Sequence, residues 1–329
     1  DYGLLPDMIY SLPMILYISL LVLGLEELTL GAEGLVRGSA SLATRLGLTP
    51  LIIGLTIVAF GTSTPELVVC IVASLNNQAD ISIGNLVGSN IFNIGIILGL
   101  TALFCPVKVS LQIIRQVCPI MIAVSLLAIF LITKGTISRP VGIALFTALV
   151  AYIGFTVWMA KKGVSAEIEQ QFQYGVPSQA KSLYRDVLFI GGGLFLLVAG
   201  SRLLVASATD IARLFGISEA VIGLTIIAAG TSMPELATSV VAALRRQPDI
   251  AVGNVVGSNI FNILGILGMA SIVKPLSASG ITQLDLWVMV AFSIALLPLL
   301  YTDLKLQRWE GGVLLFGYGA YLWLLWPSG

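Results

Sequence analysis

Apolar residues fill this chain in long blocks, and polar residues are mostly confined to the short gaps between them. A bilayer core about 30 Å thick needs about 20 apolar residues per helix. Ten blocks approach or exceed that length, at 8–32, 48–75, 81–103, 113–133, 138–160, 184–208, 217–243, 250–272, 284–302 and 309–326. The pattern predicts an all-α integral membrane protein with ten transmembrane helices and short connections. The longest connection, KKGVSAEIEQQFQYGVPSQAKS at 161–182, is polar and too short for a domain, with room for a small surface helix.

The second and seventh blocks break the pattern. AFGTSTPELVV at 59–69 places Glu66 inside apolar sequence straight after a proline, and AAGTSMPELAT at 228–238 does the same with Glu235. The two stretches lie 169 residues apart, and at that offset the sequence from LGLTPLIIGL to GIILG aligns without gaps to that from FGISEAVIGL to LGILG. The chain therefore reads as two copies of a five-helix unit. The first spans 1–160, a cytoplasmic linker covers 161–183, and the second spans 184–329. Five is odd, so the second copy enters the membrane from the opposite side. Many secondary transporters use this inverted-repeat plan, with the binding site near the midplane on interrupted helices. A duplication kept only as scaffold does not explain why the closest matches between the copies are polar.

Lys and Arg orient the helices, because cytoplasmic connections carry the positive excess. With the N-terminus outside, the cytoplasmic side holds Arg37, Arg45, Lys108, Arg115, Lys161, Lys162, Lys181, Arg185, Arg245, Arg246, Lys305 and Arg308. The other side holds Lys134, Arg139, Arg202, Arg213 and Lys274. This imbalance predicts both termini outside the cytoplasm.

Composition narrows the function. Charged residues make up 10% of the chain, against about 25% in soluble proteins. Seventeen basic and seventeen acidic residues cancel, so nothing points to nucleic acid. Histidine is absent, which excludes His-ligated zinc, His general bases and Ser-His-Asp triads. Cys70, Cys105 and Cys118 form no CxxC pair and read as small buried apolar side chains. No cleavable signal peptide is expected.

Pro65 has no N–H to give the carbonyl of Gly61, so the second helix should break or kink there. Ser63-Thr-Pro-Glu66 and Ser232-Met-Pro-Glu235 then fit a capping box at the start of a second half-helix. Magnitudes argue against a cap alone. An ionised residue at the centre of a membrane helix costs about 2.5–3.5 kcal/mol. The helix N-terminus recovers about 0.3–1 kcal/mol, rising to about 2 in good geometry. Each acid needs further compensation from a proton, a basic partner or a cation, and no Lys or Arg lies near either midpoint. Carbonyls freed near Ala59 and Ala228, and the hydroxyls of Thr62, Ser63, Thr231 and Ser232, would add the oxygens that hard cations prefer.

The following helix of each copy carries GNxVGSNIFN. Asn85, Ser89 and Asn93 fall at i, i+4 and i+8 on one face, as do Asn254, Ser258 and Asn262. Gly84 and Gly88, with Gly253 and Gly257, are small-xxx-small pairs that permit close helix approach. Asn90 and Asn259 lie off the stripe and read as packing residues. Asp80 and Asp249 precede their helices and suit the N-terminal dipole. Glu26, Glu27 and Glu33 read as surface or headgroup residues. Two glutamates among neutral oxygens carry a formal charge near −2, matching one Ca²⁺ or two Na⁺.

GTSxPE paired with GSNIFN, twice, resembles the alpha repeats of the cation/Ca²⁺ exchanger superfamily, in particular prokaryotic Na⁺/Ca²⁺ exchangers. The resemblance covers both repeats, with motif regions 59–93 and 228–262, and the ten-helix plan, so nearly the whole chain. It implies ion ligands at Ala59, Thr62, Ser63, Glu66, Ser89 and Asn93, and at Ala228, Thr231, Ser232, Glu235, Ser258 and Asn262. It further implies that the first and sixth helices slide past the other eight, exposing the site to each side in turn. Relatives commonly carry Asp at the position of Asn262, where this chain has Asn, so one titratable group is missing. The implied function is a secondary antiporter exchanging Ca²⁺ for Na⁺ in a prokaryotic plasma (inner) membrane. A Ca²⁺/H⁺ antiporter with protons on the same acids is the alternative. No enzyme activity, cofactor or obligate protein partner is expected. An intramembrane hydrolase using the two acids would lack a nucleophile-plus-base set.

Overall fold

The computed structural model describes residues 5–162, 182–217, 226, 228–277 and 280–325, with side chains from 14 onward except at 160–162 and 228. Its helices are α1 (Leu5–Leu46), α2 (Pro50–Thr62), α3 (Thr64–Leu75), α4 (Ala79–Phe104), α5 (Ile113–Thr133), α6 (Arg139–Lys162), α7 (Leu183–Leu214), α8 (Met233–Leu244), α9 (Pro248–Val273), α10 (Gln283–Tyr301) and α11 (Arg308–Leu325). Among the described residues, seven helices are long and apolar enough to cross a membrane, or eight if the bent pair α2 and α3 is one span. The protein is an all-α integral membrane protein. The first part of the stretch expected at 217–243, and most of the linker with its small surface helix, lie outside the described residues.

Two expectations change. The first helix does not stop near residue 32; α1 runs unbroken for 42 residues. At 1.5 Å per residue this is about 63 Å, twice the hydrocarbon core, so it tilts or extends beyond it. Its length is supported from outside. Gly24 and Gly31 lie against the backbone of Gly200 and Gly193 on α7, so closely that an added Cβ would sit 2.9 and 2.8 Å from a carbonyl oxygen. Glu33, expected at the surface, is partly exposed there and shared by Arg37 and by Arg245 from beyond the end of α8. Arg45 reaches the buried Asp186 of α7 at 3.0 Å. The second change is four two-residue strands that pair antiparallel at helix ends. They are β1 (Val107–Lys108) with β4 (Lys305–Leu306), and β2 (Thr136–Ile137) with β3 (Leu276–Ser277). A hydropathy pattern cannot signal so short a pairing.

Positions 169 residues apart share local geometry. Asn77 and Arg246 both take positive φ, at 61° and 60°, where α3 and α8 end. Gly47 and Gly216 do the same at 63° and 73°, after α1 and α7. In their second halves α4 and α9 loosen into π-helical segments, Asn93–Leu98 and Asn262–Ile266, each starting on the final Asn of GSNIFN, before the α-helix resumes. The contacts also cross. Gly24 meets Gly200 while Gly31 meets Gly193, and β1 pairs with the counterpart of β2, not with that of β1. The centre is α4 and α9, whose buried faces pack around the two proline breaks, while α1 and α7 expose most of their apolar residues outward.

Candidate metal centre

The break predicted at Pro65 is present. Helices α2 and α3 meet at 45°, with Ser63 between them and Pro65 and Glu66 in the first turn of α3. In the second copy Ser232 precedes α8, with Pro234 and Glu235 in its first turn. Each serine occupies the capping position, yet neither side chain caps its own helix. The hydroxyls cross to the other copy instead. Ser63 Oγ donates to Glu235 Oε1 at 2.8 Å, and Ser232 Oγ donates to Glu66 Oε1 at 2.9 Å. The capping box is therefore not formed. A hydrogen bond to a buried charge contributes about 1.5–3 kcal/mol, more than a neutral bond to an N–H that the helix can satisfy in other ways.

These crossed bonds bring both acids to one place. Glu66 and Glu235 are 1% and 0% exposed. None of the ion pairs among the described residues involves either. The two charges stand within Coulombic reach of each other. Each carboxylate has one oxygen held by serine, while its other oxygen, Oε2, is buried and has no hydrogen-bond donor. Asn93 Oδ1, Asn262 Oδ1 and Ser258 Oγ are also buried without partners.

The remaining predicted residues surround this group. Thr62 Oγ1 donates to Asn254 Oδ1 at 3.0 Å, and Thr231 Oγ1 to Asn85 Oδ1 at 3.4 Å, again across the copies. Ser89 Oγ lies 3.3 Å from Ser232 Oγ. The nitrogens of Asn85 and Asn254 are held within their own copies, by Cys70 Sγ at 3.4 Å and Ser239 Oγ at 3.0 Å. Ala59 is fully buried, but its carbonyl is not freed as expected. It accepts the Ser63 N–H at 3.0 Å and the Thr62 hydroxyl at 3.4 Å, because the helix continues past it to the break. Ala228 opens the short turn Ala228–Gly230 before the second break, and its side chain lies outside the described residues.

Two readings of the polar stripe need correction. Asn90 and Asn259 are not merely packed; both hydrogen-bond across the copies, to Asn262 and Asn93. Their exact duplication in GSNIFN is the signal in the sequence for this role, and a π-helical segment starts three residues after each. Ser201 went unnoticed altogether. Pro234 cannot supply an N–H to the Gly230 carbonyl, and the Ser201 hydroxyl of α7 takes that place at 2.6 Å.

Comparison with known proteins follows the same outline. The family described as "Sodium/calcium exchanger protein" matches residues 16–158 and 186–326. The chain is 39% identical to the inner membrane protein YrbG of Escherichia coli (strain K12), over 84% of this chain and 86% of that protein. It is 32% identical to the sodium/calcium exchanger MaX1 of Methanosarcina acetivorans, over 86% and 91%. A solved structure of the sodium-calcium exchanger NCX_Mj superposes with a TM-score of 0.80 at 32% identity, covering 95% of this chain and 99% of that one. With broken helices, crossed serines and an acid from each half already in place, these matches show that the chain belongs to the sodium/calcium exchanger family.

Proposed function

We propose that the protein exchanges Ca²⁺ for Na⁺ across the membrane by alternating access to a single midplane site. In this reading ten spans form two inverted five-helix units, 1–160 and 184–329, joined by the linker 161–183. The similarity to YrbG supports a prokaryotic inner membrane, and the excess of Lys and Arg on one side supports both termini outside the cytoplasm. Ca²⁺ and Na⁺ are the cargo, and the ligands are Glu66, Glu235, Thr62, Ser63, Thr231, Ser232, Ser89, Asn93, Ser258, Asn262 and Ala228.

One observation carries the reading. Among the residues proposed as ligands, five buried oxygens lack any donor, two of them on carboxylates supplied by different halves of the chain. Leaving a buried polar group unpaired costs about 1–3 kcal/mol, and more for a charged one. A cation resolves all five at once, since Ca²⁺ takes 6–8 oxygen ligands. The charge of −2 balances one Ca²⁺ or two Na⁺, and holding both sets together would leave excess positive charge in lipid. Competition of this kind is what coupled exchange requires. The names of the related exchangers support Na⁺ as the counter-ion. The rival is Ca²⁺/H⁺ exchange, for which the two partnerless Oε2 atoms would serve as proton sites.

Radioactive calcium uptake into proteoliposomes separates the two. Uptake should follow an imposed Na⁺ gradient. Uptake driven by a pH gradient of equal energy and indifferent to Na⁺ would overturn the Na⁺ reading in favour of H⁺.

A further inference from the structure

An asparagine presents an oxygen or an NH₂ group with nearly the same shape, and only the oxygen can bind a cation. Rotating either Asn93 or Asn262 by half a turn would replace a ligand with a pair of donors. Something must therefore set the direction of both amides. We propose that Asn90 and Asn259 are positioning residues that hold Asn262 and Asn93 with their oxygens turned to the ion. The proposal rests on the exchange site described above and deepens it.

The direction can be followed from one group to the next. Asn259 Nδ2 lies 3.3 Å from the main-chain oxygen of Asn90 and 3.8 Å from Met121 Sδ. Asn90 Nδ2 lies 3.6 Å from Met289 Sδ. A carbonyl oxygen and a thioether sulfur can only accept, so each of these amides must turn its nitrogen toward them. That leaves Asn259 Oδ1 and Asn90 Oδ1 on the opposite side, as acceptors. Asn93 Nδ2 donates to Asn259 Oδ1 at 2.9 Å, and Asn262 Nδ2 donates to Asn90 Oδ1 at 3.2 Å. With both nitrogens held, Asn93 Oδ1 and Asn262 Oδ1 point away from the network, buried and without partners. All four residues are about 1% exposed, so water does not compete for these bonds. Each pair joins opposite copies, so each half of the chain orients the ligand of the other.

A carboxylate has two equivalent oxygens and needs no such orientation, which supplies the test. Calcium affinity is measured by equilibrium binding of radioactive Ca²⁺ to the purified full-length protein, alongside the KM for exchange in proteoliposomes. Asn90→Leu should weaken Ca²⁺ binding and raise KM about tenfold, as for coupled neighbouring residues. In an Asn262→Asp background the same change should cost less than about twofold, within the scatter of additive sites. Asn259→Leu should behave in the same way with and without Asn93→Asp. Equal losses in both backgrounds would overturn the proposal, since simple packing or direct ion binding does not depend on what stands at 262 or 93. Should a leucine variant fail to fold, the corresponding alanine variant in the same two backgrounds decides the question. A wild-type protein that binds and moves no Ca²⁺ would instead sink the exchange reading itself.

Discussion

The two proline breaks are close copies in sequence, and their surroundings agree at the carboxylates but differ one turn away. At the acids the exchange of partners is mutual, with Ser63 on Glu235 and Ser232 on Glu66 at nearly equal distances. At the carbonyls that the prolines leave without an N–H, the copies part. Gly230 has the Ser201 hydroxyl of α7, while the position of Ser201 in the first copy is Ala32, which cannot donate. The second copy also holds its Asn254 with Ser239, where the first holds Asn85 with Cys70. The cargo oxygens are thus nearly two-fold, and the groups that brace them are not.

Variants made in matched pairs test that contrast. The largest effect is expected at the acids. Glu66→Gln and Glu235→Gln should each reduce exchange at least about 100-fold, as for breaking a buried charge cluster, while the protein still elutes as a folded species. A large loss at one acid and a small one at the other would break the equivalence of the halves. Next come the glycine contacts of α1 and α7. A Cβ on Gly193 would lie 2.6 Å from the Leu35 nitrogen, and one on Gly31 would lie 2.8 Å from the Leu197 nitrogen. Alanine at either should destabilise by about 1–3 kcal/mol through overpacking, read as a lowered thermal midpoint in detergent.

Smaller effects should follow at the serines. Ser63→Ala and Ser232→Ala each remove a bond to a carboxylate and should weaken Ca²⁺ binding about tenfold. The Ser232 change should be the greater, since that hydroxyl also lies against Ser89. Equal binding in wild type and both variants would mean that the crossed bonds do not position the acids. The smallest change is expected for Ser201→Ala, which removes a neutral bond and should cost about 1 kcal/mol. It should lower the thermal midpoint with little effect on Ca²⁺ affinity; a tenfold loss of affinity would place Ser201 in the ion site and dissolve the distinction between cargo oxygens and bracing groups.

Much of the site was legible because it is duplicated. Glu66 and Glu235 stand out as acids in apolar sequence, and Asn93 and Asn262 as the ends of matched stripes. Pro65 foretold the bend, since a missing N–H acts locally. Other features were misread for equally local reasons. Ser63 fits a capping box by spacing, but a bond to an acid 172 residues away replaces it. The carbonyl of Ala59 is not free, because the last turn before the break still supplies the Ser63 N–H. Glu33 is a surface residue as its sequence suggests, but its partner Arg245, 212 residues further along the chain, is not legible from local sequence.

By itself, the sequence determined the membrane class, the duplication and the pair of buried acids, because hydropathy, repeat offset and charge are properties of residues in order. Only the tertiary structure decided which oxygens are satisfied and which are left for a cation. That assignment depends on donors from the opposite half of the chain, reached through helix packing. A hydrogen bond about 3 Å long is decided by such packing to a precision that no spacing in the sequence encodes.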